Sequence, residues 1–148
     1  MPRLWLAALG AAAVIACGDD SSGGGPNDQF PDVAGVYAIA GEFDAVPPAE
    51  ASFTGAITIE QESLESSILT GSADITLTAD AGNLIITDAE LQNATVTLAG
   101  IVEFTVLVPA ENVSWTFTGE RAGDVLEGQH TLTQGSESRS GAWSGSRP

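Results

Sequence analysis

The chain has few residues whose types could perform chemistry, and its single histidine, His130, comes first among them. Alternation of apolar and polar residues around it predicts a β-strand with His130 on the same side as Leu126 and Leu132. No Gly-x-Ser-x-Gly nucleophile motif accompanies this histidine, so a serine-hydrolase centre is not indicated. The sequence therefore predicts a buried structural histidine, with contact to a bound ligand as the alternative.

Metal and acid–base sites are indicated just as weakly. One His and one Cys cannot supply the ligands of an ordinary zinc site. Calcium requires clustered oxygen ligands, whereas the carboxylates of this chain are spaced singly along its strands. Glu60 and Glu62 share one face of a predicted strand end and could pair as acid and base, but solvated carboxylates are far commoner in such positions. We therefore expect neither an enzyme nor a bound metal or other cofactor.

The charge balance excludes one large class of partners. The chain carries 20 acidic residues against 4 basic ones, and its formal net charge is -16. Phosphate backbones would be repelled, so nucleic-acid binding is not expected. An anionic membrane surface would be repelled too, so any membrane attachment has to be covalent.

The N-terminus has the features of an export signal. Arg3 is followed by an apolar run over residues 4–15, which is too short to span a bilayer. The run ends in Val14-Ile15-Ala16-Cys17, which resembles the lipobox of bacterial lipoproteins. That resemblance implies cleavage after Ala16, acylation of Cys17 and anchoring in the cell envelope through the attached lipid. With Gly18 next, it implies the outer membrane, facing the periplasm or the cell surface.

Three regions follow from this interpretation. Residues 1–16 form the signal peptide, which is helical while it is present, and residues 17–29 are the lipidated cysteine and a flexible linker. The linker is rich in Gly, Ser and Asp, and a coil of its length spans roughly 20 Å. Residues 30–148 are then one domain of ordinary size.

Period-two alternation runs through the whole of this domain and predicts an all-β fold. Turn residues separate the runs at short intervals, which favours antiparallel neighbours. We expect about 8–10 strands, including a short one over residues 84–87. A further run through Val96 and Leu98 meets Ala99-Gly100, which is either a turn or a bulge within one long strand.

Several glycines fall on the apolar side of the predicted strands. A glycine there permits the sharp coiling that small barrels require, so we expect a closed up-and-down β-barrel, with a two-sheet β-sandwich as the alternative. The glycines concerned are Gly55, Gly71, Gly119 and Gly128.

The first and last strands carry a resemblance to a known group of barrels. Gly35-Val36-Tyr37 stands where the lipocalin-like calycins have Gly-x-Trp, and the last strand carries Trp143 and ends in Arg147. The resemblance implies that residues 36–40 pair with residues 142–146 and that Arg147 closes the barrel over Tyr37. Arg139 is the alternative for that role. Either guanidinium would lie within about 6 Å of the tyrosine ring.

The inner face of the barrel carries the functional hypothesis. Residues 102, 104, 106 and 108 should point inward, as should residues 113, 115 and 117, while Thr105, Thr116 and Thr118 should face solvent. If the barrel keeps a cavity, its lining would bind a small hydrophobic molecule, and the protein would be a carrier. The alternative is a filled barrel that serves as a structural or protein-interaction module. The side chains expected to line the cavity are Tyr37, Phe104, Trp115, Phe117, His130 and Trp143.

Overall fold

The computed structural model describes residues 29–44 and 51–148 and shows a closed antiparallel barrel of eight strands in up-and-down order. The strands are β1 (Gly35–Glu42), β2 (Ala51–Glu60), β3 (Thr70–Ala79), β4 (Gly82–Val96), β5 (Ile101–Val108), β6 (Val113–Ala122), β7 (Val125–Gln134) and β8 (Glu137–Ser146). A short 3-10 helix, Pro109–Glu111, joins β5 to β6. The predicted barrel is therefore confirmed, and the β-sandwich alternative is wrong.

The barrel closes between its first and last strands. Ala38 pairs with Ser146, and the register continues to Gly41 opposite Trp143. Every other ladder joins strands that are consecutive in the chain. The sequence placed this closing contact within residues 36–40 and 142–146, and the observed ladder agrees except that it reaches Gly41.

The interior follows the alternation of the sequence. Val102, Phe104 and Val106 are fully buried, as are Trp115 and Phe117 on the neighbouring strand. The threonines between them lie on the outer face, where the hydroxyls of Thr105 and Thr116 are 3.1 Å apart and Thr118 is exposed. The predicted inward and outward faces of β5 and β6 are therefore confirmed.

Strong coiling of the sheet depends on places where two backbones approach closely. A Cβ atom at Gly128 would collide with the carbonyl oxygen of Thr118 and would lie 2.7 Å from the Cα of Gly119, in the strand opposite. Only glycine fits there, because the colliding atoms belong to the backbone and cannot turn aside.

Strand β4 differs from the prediction. The expected short strand over residues 84–87 and the run through Val96 are parts of one strand of 15 residues. Two register shifts interrupt its pairing with β3 and β5, near Asp88 and Asn93, whose φ angles are 50° and 52°. Each bulge adds one residue and changes which parity of residue faces the interior. Leu98, expected to continue the strand, lies in the turn before Gly100 and is 52% exposed.

The two ends of the barrel differ. At one end, which we call the closed end, the incoming segment 30–33 packs beneath β1, and the amide of Phe30 donates to the carbonyl of Leu64. Val33 is fully buried there. The other end, which we call the distal end, holds the β3–β4, β5–β6 and β7–β8 connections, together with the last residue of β1 and the first residue of β2.

The predicted signal peptide, Cys17 as the predicted lipidation site, and nearly all of the predicted linker lie outside the described residues. Among the residues that are described, none belongs to a helix with the length and apolar character needed to cross a bilayer.

Candidate functional site

Five of the six side chains expected to line a cavity contact one another inside the barrel, and the sixth, Tyr37, lies at the closed end. Phe104 and Phe117 stack with ring centroids 5.0 Å apart, and Trp115 lies 5.1 Å from Phe117. Trp143 meets Phe117 edge-on at 5.4 Å. These are the separations of packed aromatic pairs, so the rings fill much of the space that the sequence assigned to a guest.

Two further aromatic residues belong to this cluster. Phe43 and Phe53 contact His130 edge-on, with centroids 4.6 Å and 4.9 Å from the imidazole. Phe53 also lies 4.8 Å from Trp115. Both phenylalanines fall on the apolar parity of their strands, which was the signal that could have identified them.

His130 is held by hydrogen bonds on both ring nitrogens. The indole Nε1–H of Trp115 donates to Nδ1 at 3.1 Å, and Nε2 lies 2.9 Å from the backbone oxygen of Glu42. Because an indole N–H can only donate and a carbonyl can only accept, the ring is the neutral tautomer with its proton on Nε2. Burial lowers the pKa of His130, against smaller opposing effects of the Glu42 carbonyl and of Asp44.

This arrangement gives His130 little capacity for catalysis. A general base needs a free lone pair within reach of its substrate, and the lone pair on Nδ1 already accepts the Trp115 bond. The ring is only 1% exposed. In the described part of the chain, no group of three or more His, Cys, Asp or Glu side chains could hold a metal ion. Glu60 and Glu62 are exposed at the end of β2 and just beyond it.

Trp143 is also fixed by its polar edge. Its indole N–H donates to the carbonyl oxygen of Gln129 at 3.1 Å, on the neighbouring strand β7, and to that of Thr118 at 3.2 Å, on the next strand, β6. These contacts tie the ring to the backbone, and the side chain is 3% exposed. A ring held in this way is poorly suited to move aside for a ligand.

Arg147 and Tyr37 meet at the closed end. The guanidinium carbon of Arg147 lies 5.5 Å from the centroid of the Tyr37 ring, inside the distance expected from the sequence. Its Nη1 donates to the carbonyl of Ala34 at 2.7 Å, and its Nη2 lies 3.0 Å from the carboxylate of Asp124. The Tyr37 hydroxyl donates to the carbonyl of Val33 at 3.0 Å. Burial raises the pKa of Tyr37, and the nearby Arg147 partly offsets that effect.

Arg139 does not share this position. It stands opposite Leu132 in the β7–β8 register, on the inward parity of β8 but at the distal end, and it is exposed. Arg147, rather than Arg139, therefore lies over Tyr37.

Two of the depressions at the distal end border Leu77 and Leu132. One, of about 220 Å³, is bordered by Phe43, Leu77, Leu132 and Arg139. The other, of about 300 Å³, shares Leu77 and Leu132 with the first and extends to Leu84, between β4 and β6. Both lie at or below the lower limit of about 300 Å³ for small-molecule pockets, so any guest there is small. A further depression, of about 560 Å³, lies beside them between the end of β1 and the end of β3.

A larger concavity, about 760 Å³, lies on the outer surface across β1, β2, β7 and β8. Outward-facing small side chains such as Ala40, Ser52 and Ser144 border it. Trp143 and Phe53 also contribute to its floor, but their side chains are 3% and 1% exposed. This groove is therefore distinct from the interior cavity that the sequence led us to expect.

Comparison with known proteins identifies no relative. No family model matches the chain, and neither a curated protein nor a solved structure matches it.

Proposed function

We propose that this protein is a non-enzymatic interaction module, held at the cell envelope by a lipid on Cys17, whose barrel is filled by its own aromatic side chains. The single observation that carries the proposal is the packed cluster around Trp115 and His130. Their side chains, joined by a hydrogen bond and an edge-on contact, fill part of the barrel interior, where both are at most 1% exposed. A rigid, filled barrel presents its outer surface and its loops to partners with little loss of conformational entropy on binding.

Tryptophan fluorescence tests the filled interior. Once the leader is removed, Trp115 and Trp143 are the only tryptophans, and both are buried. We expect a brominated short alkane, added to the full lipoprotein in lipid nanodiscs, to leave their emission almost unquenched. A Phe104→Ala variant supplies the positive control, because Phe104 meets Trp143 edge-on at 6.0 Å and the space it opens should admit the alkane beside that ring. Strong saturable quenching of the wild type would show an accessible cavity and reject the proposal.

The lipid anchor belongs to the same proposal. It is supported by the Val14-Ile15-Ala16-Cys17 ending. Residue 30 is bonded at the closed end, so a linker running from Cys17 reaches that end. Cys17→Ser should abolish incorporation of radiolabelled palmitate, and equal labelling of variant and wild type would contradict the anchor.

A calycin-like relationship is likewise proposed. It is supported by the eight-stranded up-and-down order and by Arg147 lying over Tyr37, next to Gly35. A Cβ atom at Gly35 would lie 2.7 Å from the Cδ of Arg147, so the glycine leaves room for the arginine. If the contact of Arg147 with Tyr37 closes the barrel, substitution of Arg147 should increase local opening of the backbone at the closed end. Amide hydrogen exchange of residues 33–37 measures that effect.

One observation favours a second candidate function, the carriage of a small amphiphile. Arg139 borders the 220 Å³ depression together with Phe43 and Leu132, which places a cation beside apolar surface. Native mass spectrometry of the lipoprotein released from nanodiscs tests this candidate. A co-purified small molecule that is lost in Arg139→Gln would support it, and an unliganded mass would not.

A further inference from the structure

Strand β4 extends well beyond its partner on one side. It has 15 residues, whereas β5 has 8 and pairs only with the segment from Leu91 to Val96. From Gly82 to Glu90, the strand partner recorded among the described residues is β3 alone. We call residues 83–87, on the side away from β3, the free edge. The backbone groups there that point away from β3 are available for pairing with another strand.

The side chains of the free edge suit an added strand. Its sequence is Asn-Leu-Ile-Ile-Thr, which contains neither a charged residue nor a proline. Natural proteins commonly place charged residues and prolines on exposed strand edges to prevent pairing, so this edge lacks that protection. Ile85 points outward and is 70% exposed, while Ile86 is 5% exposed and packs in the core. The regular stretch ends at Asp88, where the bulge begins and the amide donates to the carboxylate of Asp74 at 2.8 Å.

A depression lies directly beside this edge. Because β5 ends at Val108 and the chain turns through Pro109–Glu111 into β6, a gap separates the upper part of β4 from that turn. The 300 Å³ depression lies in this gap and is bordered by Leu84, Val113 and Leu132. Side chains of an added strand alternate between its two faces, so one face would point into the depression and the other would lie beside Ile85.

Charge indicates what kind of strand would bind. Asp80 and Asp88 bracket the free edge, both are exposed, and Glu111 borders the depression. Two copies of a chain with net charge -16 repel each other, which opposes pairing of two free edges. A basic segment would be attracted instead, and its association would be faster at low salt.

We propose that the free edge of β4 accepts an extended basic segment of a partner protein as an added strand, with one apolar side chain in the adjoining depression. This proposal rests on the proposed function of the barrel as an interaction module. Main-chain hydrogen bonds to residues 83–87 supply affinity, and the depression supplies selectivity for the apolar residue.

A synthetic heptapeptide of alternating lysine and valine, capped at both ends, serves as the probe. Added to the full 15N-labelled lipoprotein in nanodiscs of zwitterionic lipid, it should shift the amide signals of residues 82–88 and Val113 in NMR spectra. The affinity should fall as salt is raised. The same peptide with the backbone amides of all seven residues N-methylated cannot donate main-chain bonds from those residues and should bind at least tenfold more weakly. A glutamate-for-lysine version should not bind.

Two matched variants locate the site. Ile85→Lys places a charge on the free edge and should weaken peptide binding at least tenfold. Ile68→Lys changes an isoleucine of similar exposure, 66%, at the closed end and should leave binding unchanged. Unchanged shifts at residues 82–88, or equal binding of the N-methylated peptide, would overturn the proposal. A stable dimer of the free chain, paired through β4, would overturn it in favour of a second copy. These results are independent of the quenching experiment, so failure of the free-edge proposal leaves the filled barrel standing.

Discussion

Removal of the Trp115 side chain tests the packed interior most directly. Trp115 is fully buried, contacts Phe53 and Phe117, and donates its indole N–H to His130. Trp115→Ala therefore opens a large space and leaves the Nδ1 atom of His130 without its donor. Phe104→Ala, at another fully buried ring that forms no hydrogen bond, is the matched control.

The expected losses can be estimated from these contacts. Truncation of a buried Phe or Trp to Ala costs about 3–5 kcal/mol when the surroundings cannot collapse. A buried acceptor left unpaired adds about 1–3 kcal/mol, so Trp115→Ala should exceed Phe104→Ala by that amount. Trp115→Phe keeps most of the ring and should lose chiefly the hydrogen-bond contribution, about 1–3 kcal/mol.

Urea unfolding of the full-length protein, followed by far-UV circular dichroism, measures these differences. With a urea m-value of about 1–3 kcal/mol/M, a loss of about 4 kcal/mol lowers the midpoint by about 2 M. The same slope in all variants would show that only native-state stability changed. A loss below about 1 kcal/mol at both Trp115 and Phe104 would refute the packed interior, because rings that border an empty cavity lose few contacts on truncation.

Three further predictions concern other parts of the barrel. Since burial lowers the pKa of His130, the unfolded chain takes up a proton below about pH 6.5 while the native ring stays neutral. The stability of the wild type relative to His130→Gln should therefore fall as the pH decreases below that value. Urea midpoints of both proteins across pH 5–8 measure this difference, and a difference that stays constant with pH would contradict the neutral assignment. Arg147→Met should cost about 1–3 kcal/mol of stability, because it removes the hydrogen bond to the carbonyl of Ala34. Asp124→Asn should cost less than about 1 kcal/mol, because that carboxylate is 76% exposed. Equal losses of the two variants in thermal unfolding would show that the ion pair dominates. Gly128→Ala should cost about 3 kcal/mol of stability, because the added methyl group meets the backbone of β6. A variant with the melting temperature of the wild type would show that β6 and β7 can separate there.

Much of the barrel could be predicted from the sequence, because alternation of side chains reports directly which face of a strand is buried. The interior positions of β5 and β6 followed from residues such as Phe104 and Trp115. Strand β4 could not be predicted in this way, since the bulges at Asp88 and Asn93 shift the alternation twice within one strand. Asp and Asn tolerate positive φ better than most residues, and that preference was the one local signal of the bulges.

The filling of the interior was harder to predict. Alternation gives the face on which Trp115 lies but not the volume left between facing rings. That volume depends on Phe43, just after β1, and on Phe53, in β2, which contact His130 although they are far from it in the sequence. The same limit applies to the free edge, because unequal strand lengths appear only when the pairing of β4 with β5 is known.

The short ladder that closes the barrel has a consequence for how the protein folds. All other ladders join neighbouring strands, but Ala38 has to meet Ser146 from the far end of the chain. Contacts so distant in sequence carry the largest loop-closure entropy and slow folding. Formation of hairpins can begin as soon as each turn emerges, whereas closure has to wait until β8 is available. Under the proposed export with the N-terminus first, the chain crosses the membrane almost completely before its barrel can close. During that interval Tyr37 and Trp143 remain open to solvent, and the nearly finished sheet exposes two edges to other proteins.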